Sequence, residues 1–150
     1  MSDKKQPVSL REVTPDNLRA VLKLDVREDQ KNLVANNAVS IAQGHYSEYA
    51  WWRAIYAGDE PVGFVMLYLD PDNADYGVWR FMIDARHQGQ GYGLQAMEQV
   101  VAHVRSLPNA TELGISYVPA PGNPQPFYLK CGFVDTGEED DGELVMKMVL

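Results

Sequence analysis

The sequence predicts a single α/β domain of the α+β kind, built on a mixed, mostly antiparallel sheet flanked by helices. Three observations point there. Apolar residues switch repeatedly between alternating and helical spacing. The elements they mark run β-α-α-β-β-β-α-β-α-β-β. Three glycines, Gly89, Gly91 and Gly93, sit between a strong strand and an amphipathic run. The chain of 150 residues has the usual size of one domain and can bury a core without disulfides or metals. No internal repeat, low-complexity tract or boundary interrupts it, so 1–150 is expected to be one unit, with 1–7 as a flexible tail.

Each element has its own warrant. Val8, Leu10 and Val13 alternate imperfectly and mark a first strand over 8–13. Thr14 then Pro15 has the form of an N-cap with proline at the first helical position. Leu18, Val21, Leu22 and Val26 follow at helical spacing, which predicts a helix over 15–27. Residues 28–37 are polar and close on two asparagines, as an irregular connection would. Residues 38–49 read as a second short helix ending near Gly44. Trp51 to Ala57 are rich in β-formers, Gly58-Asp59-Glu60-Pro61 signals a hairpin turn, and 62–70 supply the partner strand. Gly63 inside that strand marks a bulge or a close backbone approach. Residues 71–77 turn the chain into a strong strand over 78–84. The glycines come next, and a helix runs to about Ser106. Residues 112–118 form another strand, and 119–126 a proline-rich loop. Residues 127–132 form a short helix closed by Gly132. Residues 133–150 form a final hairpin, with Glu138 to Glu143 near its turn.

Composition excludes several functions. The single Cys131 rules out an intrachain disulfide framework and a thiolate-based zinc site. The start, MSDKKQPVSL, has no apolar stretch behind its lysines, so no signal peptide is expected. No run approaches a membrane span. A cytoplasmic location and no membrane partner are the expectation. A net charge of -8 argues against nucleic acid as a partner and favours cationic ligands through the long-range field. Many soluble proteins, however, are acidic merely to stay dispersed. No two of the three histidines share a metal-ligand spacing, so no metal is expected.

The glycines carry the chemistry. A helix start leaves backbone N–H groups without partners, and the macrodipole adds partial positive charge. Glycine lets the main chain approach a ligand closely. Strand, glycine loop and helix therefore make an anion cradle suited to a phosphate or diphosphate. A Walker loop fails, because Gly93 is followed by Leu94 rather than Lys-Ser/Thr. A dinucleotide fingerprint fails, because the third glycine comes one residue early and the loop follows three consecutive strands. The pattern Gln/Arg-x-x-Gly-x-Gly/Ala is matched in full by Gln88-Gly89-Gln90-Gly91-Tyr92-Gly93.

With that loop inside VWRFMIDARHQGQGYG, with GDEPVGFVML before it and FYLKCGF at 127–133, the sequence resembles the GCN5-related N-acetyltransferase (GNAT) superfamily over nearly its whole length. Through REDQKNLVANN, AIYAGDEPVGFVML and RFMIDARHQGQGYG it is similar to the bacterial spermine/spermidine (diamine) acetyltransferase-like branch. The resemblance implies the GNAT acyl-CoA N-acyltransferase fold. It implies an enzyme that moves an acetyl group from acetyl-CoA (coenzyme A) to a primary amine of a small molecule, a polyamine such as spermidine or spermine. The alternatives are another acceptor (an amino acid, an antibiotic amine or a protein N-terminus) or a non-catalytic acyl-CoA-binding module.

The resemblance also assigns residues. Gln88, Gly89, Gln90, Gly91, Tyr92, Gly93 and Leu94 would surround the pyrophosphate. Phe81, Met82 and Ile83 would pair their main chain with the pantetheine arm, and a backbone N–H there would face the thioester oxygen. Tyr128 would protonate the leaving thiolate. Asn123 would contact the cofactor, but its spacing to Tyr128 is five residues rather than the family's usual seven. Some polyamine acetylators carry a glutamate base where this chain has Trp79, which leaves the base unassigned between a water chain and a carboxylate on the substrate side. Glu28 and Asp29 stand where the family builds its acceptor pocket. Tyr46, Glu48, Tyr49, Trp51 and Trp52 are candidates for the same pocket; core packing or a homodimer surface explains them equally. Lys130 and His87 are candidates for a phosphate but read first as solvent-facing residues. His103 reads as a helix-surface residue, the acids near 138–141 as a solvated hairpin tip, and Cys131 as packing.

Overall fold

The computed structural model describes residues 6–150. In chain order the elements are β1 (Val8–Arg11), α1 (Leu18–Lys23), α2 (Asn37–His45), β2 (Ala50–Ala57), β3 (Glu60–Asp70), β4 (Asp75–Ile83), α3 (Tyr92–Arg105), β5 (Glu112–Tyr117), α4 (Gln125–Cys131), β6 (Val134–Asp140) and β7 (Glu143–Val149). Their order is the expected one. The strands form one sheet in the order β1-β2-β3-β4-β5-β7-β6, antiparallel throughout except where β4 lies parallel to β5. Most of the tail expected over 1–7 lies outside the described residues. The carbonyl of Pro7 accepts the Gly58 N–H at 2.9 Å, which ties the chain down just before β1.

The sheet is covered on both faces, which explains the near-continuous apolar run of β3. Val65 and Leu67 face α3 and α4, packing with Met97, Val100, Tyr128 and Phe133. Phe64 and Met66 face the other way, with Val21 and Leu24 of the first helical segment. Gly63 satisfies both readings of its role. The β2–β3 register slips between Ile55 and Tyr56, opposite Gly63, and a Cβ at this position would run into the Met82 carbonyl oxygen. The last hairpin closes on Asp141 and Gly142, at φ 50° and 82°. That left-handed pair suits a two-residue turn.

Two elements correct the sequence reading. The helix expected over 15–27 spans only Leu18–Lys23. Thr14 does not cap it. Its N–H donates to Asn17 Oδ1 at 2.8 Å, and its carbonyl accepts from Asn17 and Leu18, so 14–17 form a turn. At the other end the Asp25 N–H donates to Asp84 Oδ1 at 2.9 Å, and the Asp25 carbonyl accepts the Ala85 N–H at 2.8 Å. These two bonds draw the chain onto the end of β4 before Val26 can continue the helix. The paired asparagines begin α2 rather than close a connection. Asn36 Oδ1 accepts the Val39 N–H at 2.9 Å, and buried Asn37 donates to the Val21 carbonyl at 2.9 Å.

One irregularity positions the site. Leu67 pairs with Val78 and Met66 with Arg80, so Trp79 is an extra residue in β4. Such a bulge bends its strand. The parallel β4–β5 pairing covers only Gly77–Gly114 and Val78–Ile115. Beyond it the two strands part, and a wedge opens in the middle of the sheet.

Candidate active site

The wedge is the mouth of a cavity of about 860 Å³. Its walls are the end of β4, the glycine loop, the ends of β5 and β7, helix α4 and the segment 26–35. Topology thus brings together chemistry from the middle and the end of the chain.

The glycines have two separate jobs. Gly89 and Gly91 lie at φ 80° and 83°, a conformation other residues adopt at a cost. Gly91 is also the N-cap of α3. A Cβ on Gly93 would sit 3.1 Å from Phe127 Cζ, so this glycine makes room for α4. Among the described residues, no acceptor takes the backbone N–H groups of Gln88 to Leu94. The arc of free donors at the N-terminus of α3 fits the diphosphate of coenzyme A. Gln88 steadies the arc. Its amide donates to the Ile83 carbonyl and to Gln30 Oε1, both at 2.9 Å. Gln30 Oε1 also accepts the Arg27 N–H at 3.1 Å.

Asp84 anchors the same region. It is 4% exposed and receives bonds from the Asp25 N–H and from the Arg86 N–H and Nε. Burial pushes its pKa up, but the Asp25 and Arg86 hydrogen bonds outweigh this and hold it below the usual value. Arg86 is a local partner, but the bond from Asp25, just beyond α1, joins residues far apart in the chain and is not legible in the sequence.

Phe81, Met82 and Ile83 present one backbone edge to β3 and leave the other without a strand partner toward the wedge, with the Ile83 carbonyl taken by the Gln88 amide. Their side chains serve the core: Phe81 stacks on Phe127 at 5.8 Å, and Met82 is buried on the opposite face. A free strand edge fits an extended ligand arm such as pantetheine.

Tyr128 is buried, lines the cavity and packs edge-on against Phe133. Burial, with smaller contributions from Cys131 and Glu143, raises its pKa far above the ordinary phenol value. The phenol therefore carries its proton at neutral pH. Asn123 also lines the cavity, but its amide is engaged locally. It donates to the Ala120 carbonyl and accepts the Gln125 N–H, both at 2.9 Å, and so shapes the entry to α4.

The acceptor-side candidates separate. Trp79 lines the cavity. Glu28 and Asp29 do not. Glu28 pairs with Lys31 at 2.9 Å and Asp29 with Arg27 at 3.3 Å. Tyr46, Glu48, Tyr49, Trp51 and Trp52 are likewise outside the cavity lining. Trp51 stacks on His103 at 4.5 Å with Arg53 over its ring at 4.2 Å, and Trp52 meets His45 edge-on at 5.1 Å. Packing within the chain explains both indoles, and His103 is half-buried rather than on the surface. His87 lines the cavity, and its Nε2 is buried 3.5 Å from Glu60. Burial and the Glu98 charge push the Cys131 thiol up to about 11, so it is a packing residue and no thiolate at neutral pH.

Two lining residues escaped the sequence reading. Arg80 reaches across β4 to Gln43 of α2 at 3.0 Å, with its Nε buried and unpartnered among the described residues. Glu143, the first residue of β7, accepts a bond from the Ser116 hydroxyl at 3.0 Å. Neither signal is local. Arg80 is turned by the Trp79 bulge, and Glu143 looks from sequence like one more acid of the hairpin tip.

An open wedge in a mixed sheet, with a free-donor loop on one side and a proton-bearing phenol beside it, defines an acyl-CoA-dependent transferase. The model of the acetyltransferase (GNAT) family matches residues 23–133. The chain is 30% identical over 146 residues to the spermine/spermidine N(1)-acetyltransferase of Bacillus subtilis (strain 168), covering 93% of this chain and 96% of that protein. Among solved structures it is similar to an acetyltransferase from Thermus thermophilus, with a TM-score of 0.74 at 21% identity, covering 95% of this chain and 97% of that one. It is also similar to a Bacillus subtilis acetyltransferase in complex with CoA, with a TM-score of 0.66 at 20% identity, covering 98% and 99%. The chain belongs to the acetyltransferase (GNAT) family and is an N-acetyltransferase. No helix among the described residues is long and apolar enough to cross a membrane.

Proposed function

We propose that the protein acetylates a primary amine of a small molecule at the expense of acetyl-CoA, with a polyamine such as spermidine or spermine as acceptor, in the cytoplasm. The observation that carries the donor half is the arc of unpartnered N–H groups from Gln88 to Leu94, opening onto the same cavity as Tyr128. Bound acetyl-CoA would supply an activated acetyl thioester. The chain's own residues do the rest. Gly89 to Leu94 hold the diphosphate, and the free edge of Phe81 to Ile83 aligns the arm. Tyr128 keeps a proton at its phenol oxygen for the sulfur. The polyamine half is supported by the 30% identity to the Bacillus subtilis enzyme.

A second acceptor class is favoured by one specific observation. Arg80 brings a cation to the cavity with no carboxylate within 4 Å among the described residues. A guanidinium there suits an acceptor that carries an acid beside its amine, such as an amino acid. Thiol release from acetyl-CoA, measured against spermidine, spermine, diamines and amino acids, decides. Turnover of polyamines alone supports the first reading, and turnover of amino acids alone replaces it with the second. Coenzyme A binding without any acetylation leaves a non-catalytic module.

A further inference from the structure

The cavity is built against the charge of the protein. The whole chain carries a net charge of -8, yet the cavity lining includes Arg27, Lys31, Arg80 and Lys130. Against these cations the described residues place one carboxylate in the lining, Glu143. An amine arrives at neutral pH as an ammonium, with a pKa about 10. It must lie against an anion, and it must lose a proton before its nitrogen has a lone pair to use.

Glu143 stands where both needs meet. It opens β7 at the rim of the wedge, on the strand face opposite Leu144, Met146 and Met148, which pack in the α3–α4 core. The Ser116 hydroxyl on β5 donates to its Oε1 at 3.0 Å and fixes the carboxylate, leaving Oε2 free of any hydrogen bond among the described residues. It shares the cavity lining with Arg80 of β4 and Tyr128 of α4. The charged and titratable groups around it are those two, Lys130 of α4, Tyr117 of β5 and Asp140, its cross-strand neighbour on β6. The four acids before it on the hairpin, Glu138 to Asp141, are exposed and outside the lining.

We infer that Glu143 is the catalytic carboxylate of this acetyltransferase, receiving the acceptor's ammonium and taking one of its protons, with Ser116 as its positioning residue. The step balances: R–NH3+ and the carboxylate give R–NH2, with its lone pair free, and a neutral carboxylic acid that returns its proton to water after turnover. This inference rests on the acetyltransfer reading but not on which amine is used. It fills the role left open by tryptophan at position 79.

The test compares wild type with Glu143→Gln, Ser116→Ala and, as a hairpin control, Glu139→Gln. Coenzyme A titration calorimetry and thermal melting verify that each variant is folded. Glu143→Gln is expected to lose about 100-fold or more in kcat/KM. It should also lose the acidic limb of the pH profile and bind the amine more weakly by calorimetry on the coenzyme A complex. Ser116→Ala is expected to keep the limb with a smaller loss, and Glu139→Gln to match wild type. A Glu143→Gln variant with wild-type kcat/KM and an unchanged pH profile overturns the inference while leaving the acetyltransfer reading intact. A wild-type protein that acetylates no amine overturns both.

Discussion

Gly89 and Gly137 make a matched pair of perturbations. Both have left-handed backbones, at φ 80° and 83°, and a Cβ at either would meet nothing within 4 Å. Substitution by alanine therefore costs only backbone conformation, about 1–2 kcal/mol at each site. In a domain of this size about 1 kcal/mol lowers the melting temperature by about 2–4 °C. The two variants should thus melt lower by similar amounts. They should differ in ligand binding. Gly137 lies in the β6 strand, outside the cavity lining, whereas Gly89 lies within the arc of free N–H donors. An alanine at 89 relieves its strain by rotating the peptide, which turns a donor away from the diphosphate. Loss of one charge-assisted bond of about 1.5–3 kcal/mol is roughly 10- to 150-fold in affinity. Scanning calorimetry reads the first effect, and isothermal titration with coenzyme A reads the second. If Gly89→Ala melts like Gly137→Ala yet binds coenzyme A as tightly as wild type, the loop does not grip the ligand and the cradle argument is refuted.

Two further perturbations address the rest of the machinery. Tyr128→Phe is expected to lower kcat by about 100-fold without changing coenzyme A affinity, as read by steady-state kinetics beside calorimetry. Because the folded phenol titrates above its unfolded value near 10, its contribution to stability is complete below pH 10 and lost as pH rises beyond it. The melting temperature of wild type should therefore fall more steeply than that of Tyr128→Phe above pH 10. Asp84 works in the opposite sense. Its folded pKa is depressed below 3.8, so its contribution is present above that value and lost as pH falls through the folded pKa. Asp84→Asn should cost about 1.5–3 kcal/mol in urea unfolding at about pH 7 and flatten the acid limb of stability.

What could be read from the sequence, and what could not, divides by range of interaction. The β2–β3 hairpin, the glycine loop and the final hairpin were legible because turn chemistry and alternation are local. The end of the first helix was not. Val26 keeps helical spacing, but the Asp25–Asp84 bond that overrides it joins residues far apart in the chain. Gln88, Gly89, Gly91 and Tyr128 were singled out through the pattern they carry, and all line one cavity. The indoles at 51 and 52 stayed ambiguous, since an aromatic that packs inside looks the same in sequence as one that lines a pocket. Arg80 and Glu143 were invisible because a bulge and a strand crossing, neither written in local spacing, aim them inward.

The brief meeting of β4 with β5 has a wider consequence. Among the described residues, two residue pairs stitch the first four strands directly to the last three, apart from side-chain packing. The glycine loop, between β4 and α3, belongs to the leading half, while Tyr128 and Glu143 belong to the trailing half. Each half can thus diverge on its own schedule: new acceptors can be accommodated by redrawing the terminal hairpin, with the grip on the acyl carrier left untouched.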